Sequence, residues 1–209
     1  MDLIEANGNI SLNIACLGMD ADVAYKMVKY KHWPLISGPM AYNLAIVDVF
    51  FHRLGNKLSV TMDTTHGTVK RDGRYLIALA ASGQYYGGGF HGAPMARPDD
   101  GLIDFILIKA IPRLKILQFI SKFKKGEYME YDFCEHFRGT SMHIQSERDV
   151  IIALDGECSK HRDIRFALCD HTVRFVMPAS GAVKQKVFSS SPTKRGKQKQ
   201  LSGAFVKKM

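Results

Sequence analysis

The stretch Tyr85-Tyr-Gly-Gly-Gly-Phe-His-Gly-Ala-Pro-Met-Ala-Arg-Pro-Asp-Asp-Gly-Leu-Ile-Asp-Phe-Ile-Leu-Ile-Lys109 decides how this chain is read. Three successive glycines at 87, 88 and 89 remove every Cβ from the main chain. That permits positive φ and close approach of another group. Asp99, Asp100 and Gly101 then form a turn, and Ile103 to Ile108 is an apolar run of strand length. Two carboxylates at a turn also offer the oxygen ligands that hard cations take.

Around this stretch the grammar is mostly period two. Leu58, Val60 and Met62 alternate with polar neighbours, which describes a half-buried strand. Further short strands are expected at 68–70, 75–81, 140–145, 150–154, 164–168 and 172–177. Asp72-Gly73, Asp100-Gly101 and Asp155-Gly156 are the expected turns between them. Asn9 to Leu17 reads as a first strand. Helices are expected from Asp20, from Ser37 (the cap of Gly38-Pro39) to the stop at Gly55, and from Pro112 to about Lys124. Many short strands with two or three helices predict a mainly β, α+β fold: an antiparallel β-sandwich.

With 209 residues, 46% of them hydrophobic, the chain suffices for one well-buried domain with a tail. No apolar run reaches membrane-spanning length and the start lacks a secretory pattern, so a cytoplasmic protein is expected. Four scattered cysteines fit free thiols. The net charge of +9 is concentrated: residues 184–209 hold eight basic side chains and no acid. Subtracting those eight from 29 leaves 21 basic against 20 acidic residues in the body. A nucleic-acid binder is expected to carry a basic stripe on its folded surface, whereas here the excess charge sits mainly in the tail, which argues against nucleic acid as a partner. Residues 1–178 are expected to be the domain, and 179–209 a basic, disordered tail.

Several residue groups invite a chemical reading beside a plain one. Asp155-Gly156-Glu157 is either a hairpin turn or a carboxylate at a strand end serving as a base or nucleotide contact. Cys134/His136 and Cys169/His171 have i, i+2 spacing and are weighed as zinc ligands against buried thiols and imidazoles. The 112–125 helix places Leu114, Leu117, Ile120 and Phe123 on one side, among basic residues. It either packs on the sheet or touches an anionic membrane.

Taken in order, Ser11-Leu-Asn-Ile-Ala-Cys-Leu-Gly-Met-Asp-Ala-Asp-Val23, the triglycine, Asp-Asp-Gly-Leu-Ile-Asp104 and Leu154-Asp-Gly-Glu157 resemble the C-terminal half of the diacylglycerol kinase family. Bacterial lipid kinases and sphingosine kinases belong to that group. The resemblance implies a lipid kinase using ATP and Mg²⁺, whose β-sandwich domain closes on a nucleotide-binding domain supplied in cis or in trans. It implies Glu157 as proton acceptor, with Asp155, Gly156 and Glu157 at the nucleotide. It further implies Asp20, Asp22, Gly88 and Gly89 toward the lipid substrate, and a Mg²⁺ loop of Arg97, Asp100 and Leu102. Peripheral membrane contact is an expected partnership, and a homodimer is left open.

The sequence departs from the family in three places. It contains no Gly-Gly-Asp-Gly-Thr motif, Ser82-Gly83-Gln84 stands where an Asn-Gly is usual, and the basic tail has no counterpart. Without a nucleotide-holding half the chain is expected to be inactive alone. A non-catalytic lipid-binding or regulatory module is the alternative.

Overall fold

The computed structural model describes residues 1–34, 36–52 and 54–175. The tail, the domain boundary at 178 and the end of the last expected strand lie outside these. Among the described residues, eight strands and three helices follow in the order β1 (Asp2–Ala6), β2 (Asn9–Ser11), β3 (Ile14–Gly18), α1 (Met19–Lys31), α2 (Gly38–Phe51), β4 (Asn56–Thr64), β5 (Gly67–Ala81), β6 (Ile103–Lys109), α3 (Arg113–Lys125), β7 (Cys134–Leu154) and β8 (Glu157–Thr172). All strand pairings are antiparallel, in the order β2-β1-β8-β7-β3-β5-β4, with β6 between β5 and β7 and with β7 also paired to β4. The expected mainly β sandwich with helices is what forms.

Two long strands let the sheet fold over itself. β7 pairs with β6 through Cys134–Gly139, then with β4 through Gly139–Ser146, and finally with β3 near Leu154. Side chains alternate across each strand. Ile4, Leu17, Met62, Phe105, Ile144 and Phe166 therefore gather in an inner core between the layers. Their neighbours Cys16, Leu79, Ile106 and Ile108 point the other way and pack under the helices with Phe119 and Phe123. β3 and β6 are buried on both faces, which is why they read as unbroken apolar runs. Burying each large apolar side chain contributes about 1.5–3 kcal/mol.

Several expectations need correction. Asp72-Gly73 is not a turn: it lies inside β5, opposite Ser59 and Leu58, and Asp72 accepts a hydrogen bond from the Ser59 hydroxyl. The two strands expected between 140 and 154 are one, with a register shift between Gln145 and Val150. The expected first strand is divided at Leu12-Asn13 into β2 and β3. β1 was not anticipated, although Asn7-Gly8, with φ of 49° and 83°, is a strong hairpin signal. α2 ends at Phe51, before Gly55, and the Ser37 side chain makes no capping hydrogen bond.

On α3 the buried residues are Ile116, Phe119 and Phe123, while Leu114 and Leu117 are exposed. The stripe expected to pack on the sheet is thus rotated. Gly126 ends the helix in the left-handed region, its N–H donating to the Lys122 and Phe123 carbonyls.

Candidate active site

Under α1, α2 and α3 lies a cavity of about 490 Å³. Its floor comes from the helix-facing side chains of the sheet, Ile14, Cys16, Ile77 and Ala153. Its roof comes from Tyr42, Ile46 and Phe50 of α2 and from Phe119, Ile120 and Phe123 of α3. The lining is overwhelmingly apolar. Asp20, Tyr86, Asn13 and Asp155 supply polar atoms, together with backbone at Gly87 and Gly156.

Asp20 enters the cavity because of a glycine. β3 ends at Gly18, whose φ of +108° turns the chain straight into α1. An ideal Cβ there would lie 2.2 Å from the Leu76 carbonyl oxygen, so only glycine lets helix and strand approach this closely. Asp20 then sits in the first turn of α1, where the helix dipole favours a negative charge. The Tyr86 hydroxyl donates to Asp20 Oδ2 at 2.6 Å, and the Ala21 N–H donates to Oδ1 at 3.0 Å. Burial nonetheless pushes the Asp20 carboxyl above its ordinary range, against these hydrogen bonds. Burial also drives the Cys16 thiol and the Tyr86 hydroxyl well up, and the Asp20 charge adds to both. Neither group is a ready nucleophile.

Asp22, two residues on, is pushed up to about 7, first by burial and then by the Asp20 charge, with Lys26 opposing. An unfolded Asp ionises near pH 3.8, so the folded state pays for ionising Asp22 as pH rises between about 4 and 7. Asp22→Asn should therefore be neutral near pH 4 and stabilising by about 2–4 kcal/mol near pH 8. Urea melts at the two pH values check this; an equal change at both would refute it.

The Asp155-Gly156 pair is the two-residue hairpin turn between β7 and β8, with φ of 48° and 100°. Its carboxylate does more than turn the chain. It accepts from the backbone N–H groups of Leu12 at 2.5 Å, Asn13 at 3.1 Å and Ile14 at 3.1 Å. Asn13 in turn accepts from Ser82 N–H at 2.9 Å through its carbonyl and donates through its amide to the Tyr85 carbonyl at 2.8 Å. Asp155, Asn13 and the triglycine loop thus form one connected unit at the cavity rim. Sequence reasoning missed Asn13 and Tyr86, since their partners lie 72 and 66 residues away.

The triglycine turn is closed by Tyr86 and Phe90, paired through both backbone bonds at 3.0 and 2.9 Å. All three glycines have positive φ, and nothing lies within 4 Å of a Cβ built on any of them. Positive φ rather than crowding demands glycine here. Gly87 lines the cavity; Gly88 and Gly89 are exposed and do not line it.

Glu157 opens β8 opposite Leu154, exposed, and it is not among the cavity-lining residues. Its neighbour Cys158 packs on the helix side, so pleat alternation aims Glu157 toward the opposite face, away from the cavity. Its carboxylate has no hydrogen-bond or ion-pair partner among the described residues.

Asp100 is at the same end of the sheet. Ile14 pairs with Ala81, Ala81 with Asp104, and Asp104 with Arg138, so this row leads from β3 to the turn before β6. Its carboxylate takes the Arg138 guanidinium and accepts from the Leu102 N–H at 3.3 Å. Arg97 is exposed. Arg138 holds one oxygen of the Asp100 carboxylate and the Leu102 N–H the other, so a divalent ion at this loop would share the carboxylate with them. Among the described residues no three His, Cys, Asp or Glu side chains gather as metal ligands. His136 Nε2 is hydrogen-bonded to the buried Asp104 carboxyl at 2.6 Å, and Cys169 lies 3.9 Å from His171, so the Cys-x-His pairs build no zinc site among the described residues.

The domain is thus a helix-roofed antiparallel sandwich with an apolar cavity and carboxylates at its rim. The chain belongs to the family described as the YegS C-terminal NAD kinase beta sandwich-like domain, which it matches over residues 13–177. It is 28% identical over 179 residues to a "Probable lipid kinase YegS-like" of Shewanella frigidimarina (strain NCIMB 400), covering 85% of this chain and 55% of that protein. A protein of the same description from Chromohalobacter salexigens is 28% identical over 109 residues, covering 52% of this chain and 35% of that one.

Among solved structures, a diacylglycerol kinase from Bacillus anthracis str. Sterne superposes with a TM-score of 0.52 at 17% identity, covering 80% of this chain and 49% of that one. A structure described as a "putative diacylglycerol kinase" from that organism reaches 0.58 at 22%, covering 80% of this chain and 52% of that one. The structures share the fold. The chain spans about half the length of the first of these relatives. No helix among the described residues is long and apolar enough to cross a membrane.

Proposed function

We propose that this chain is the lipid-side domain of an ATP-dependent lipid kinase, which moves the γ-phosphate of ATP to a lipid hydroxyl. The observation that carries the reading is the apolar cavity whose rim joins Asp20, Asp155-Gly156 and the triglycine loop. The cavity offers a long apolar chain a dry site, and Asp20 with Tyr86 offers its hydroxyl end hydrogen-bonding partners. Asp155 holds the rim in shape through three backbone N–H groups. Glu157, exposed and unpaired directly after the Asp155-Gly156 turn, is the proton acceptor in this reading. ATP would supply the transferred phosphoryl group, bound mainly by a nucleotide-holding partner with Asp155, Gly156 and Glu157 at its edge.

Phosphoryl transfer depends on positioning and charge stabilisation around the phosphates, while a general base contributes about 10²–10⁴. The chain alone is therefore expected to show no transfer of labelled phosphate from ATP to lipid alcohols. Adding a Gly-Gly-Asp-Gly-Thr-bearing half is expected to restore it. Lipid binding without transfer in the mixture would make the chain a non-catalytic lipid-binding module. Failure to bind any long-chain alcohol would overturn both readings.

A further inference from the structure

The roof helices present a second apolar surface. On α2, Met40, Leu44, Val47 and Phe51 recur at steps of four, three and four, which puts them on one stripe. All are exposed, Phe51 by 76%. The cavity-facing Tyr42, Ile46 and Phe50 occupy a different sector of the same helix. On α3, Leu114 is 79% exposed and Leu117 is also exposed. The two helices are joined end to end: the Arg113 guanidinium donates to the Phe50 and His52 carbonyls at 3.1 and 2.8 Å.

The charge on α3 itself has one sign. α3 carries Arg113, Lys115, Lys122, Lys124 and Lys125 and no acid. Lys122 is paired with Glu127 and Lys124 lies over the Phe90 ring, but Lys115 and Lys125 have no ion-pair partner among the described residues. The one acid of α2, Asp48, is held by Lys26, Tyr30 and His52.

We propose that the shared outer surface of α2 and α3 docks on an anionic lipid bilayer, with Phe51, Leu114 and Leu117 entering the acyl boundary and Lys115 and Lys125 meeting headgroups. Apolar side chains flanked by unpaired lysines are the composition that binds in a membrane interface. An isologous contact between two copies through this patch would instead oppose α3 cations to α3 cations. The proposal rests in part on the lipid-side reading: the same two helices roof the cavity, so docking would bring it against the source of a lipid substrate.

The test is co-sedimentation of the full chain with phosphatidylcholine vesicles, with and without phosphatidylglycerol. Wild type is expected to bind only the anionic vesicles. Phe51→Asp with Leu114→Asp should lower the bound-to-free ratio about tenfold or more. Lys115→Glu with Lys125→Glu should lower it about fivefold per residue, less so at high salt. Both pairs replace exposed side chains, so unchanged thermal melting serves as the folding control.

Undiminished binding by the Phe51/Leu114 variant would mean that the basic stretch 184–209 carries the binding, and would overturn the proposal. So would wild type that ignores anionic vesicles, or a dimer in gel filtration that the same variants dissociate. Binding of a fluorescent long-chain alcohol in the absence of bilayers tests the cavity separately. It should stay at the wild-type level in both variants.

Discussion

Glu157→Gln, in this chain paired with an ATP-holding half, is expected to slow lipid phosphorylation about 10²-fold or more while thermal stability stays unchanged. The structure supplies the second part of that expectation. Glu157 is exposed and its carboxylate has no partner among the described residues, so replacing it removes no contact from the fold. A loss of turnover with an intact melting curve would then be chemical in origin. The alternative acceptor is Asp20, which faces the cavity and whose proton affinity burial raises. Wild-type turnover in Glu157→Gln, with a large loss in Asp20→Asn, would transfer the role to Asp20.

Gly18→Ala is expected to cost about 3 kcal/mol or more and to lower the melting temperature by about 10 °C. Two penalties combine at this residue. Its φ of +108° is one that a side chain rarely adopts, and the new Cβ would strike the Leu76 carbonyl oxygen at 2.2 Å. Neither neighbour can move easily, because Gly18 is paired to Ile77 in the sheet while it starts α1. Gly8→Ala separates the two effects: φ is +83° there, and nothing lies within 4 Å of the new Cβ. Gly8→Ala should cost about 1 kcal/mol. Equal losses at the two sites would show that close approach is unimportant at Gly18. Since Gly18 sets the start of α1, the variant should also loosen the Asp20–Tyr86 hydrogen bond.

Much of the fold was legible because its signals are local. Asp100-Gly101 and Asp155-Gly156 are turns as their chemistry demands, and the Ile103–Ile108 run is a strand buried on both faces. Asp72-Gly73 carries the same signal as Asp155-Gly156 yet lies inside a strand. There β4 pairs with β5 residue by residue from Asn56 to Thr64, and ladder bonds outweigh a two-residue preference. The buried face of α3 was misread for a related reason. Leu114, Ile116, Leu117, Phe119, Ile120 and Phe123 cover most of the helix circumference, and only the position of the sheet selects Ile116, Phe119 and Phe123 for burial.

The site divides in the same way. The order of motifs, the triglycine turn, the acidic start of α1 and the Asp-Gly-Glu hairpin could all be read from one chain. That Asp155 clamps the Leu12–Ile14 backbone, that Tyr86 reaches Asp20, and that Glu157 and Cys158 point to opposite faces required the tertiary structure. Backbone dihedrals and the alternation of a strand are properties of a few neighbouring residues. A carboxylate's partners and its burial are set by segments that approach from far along the chain.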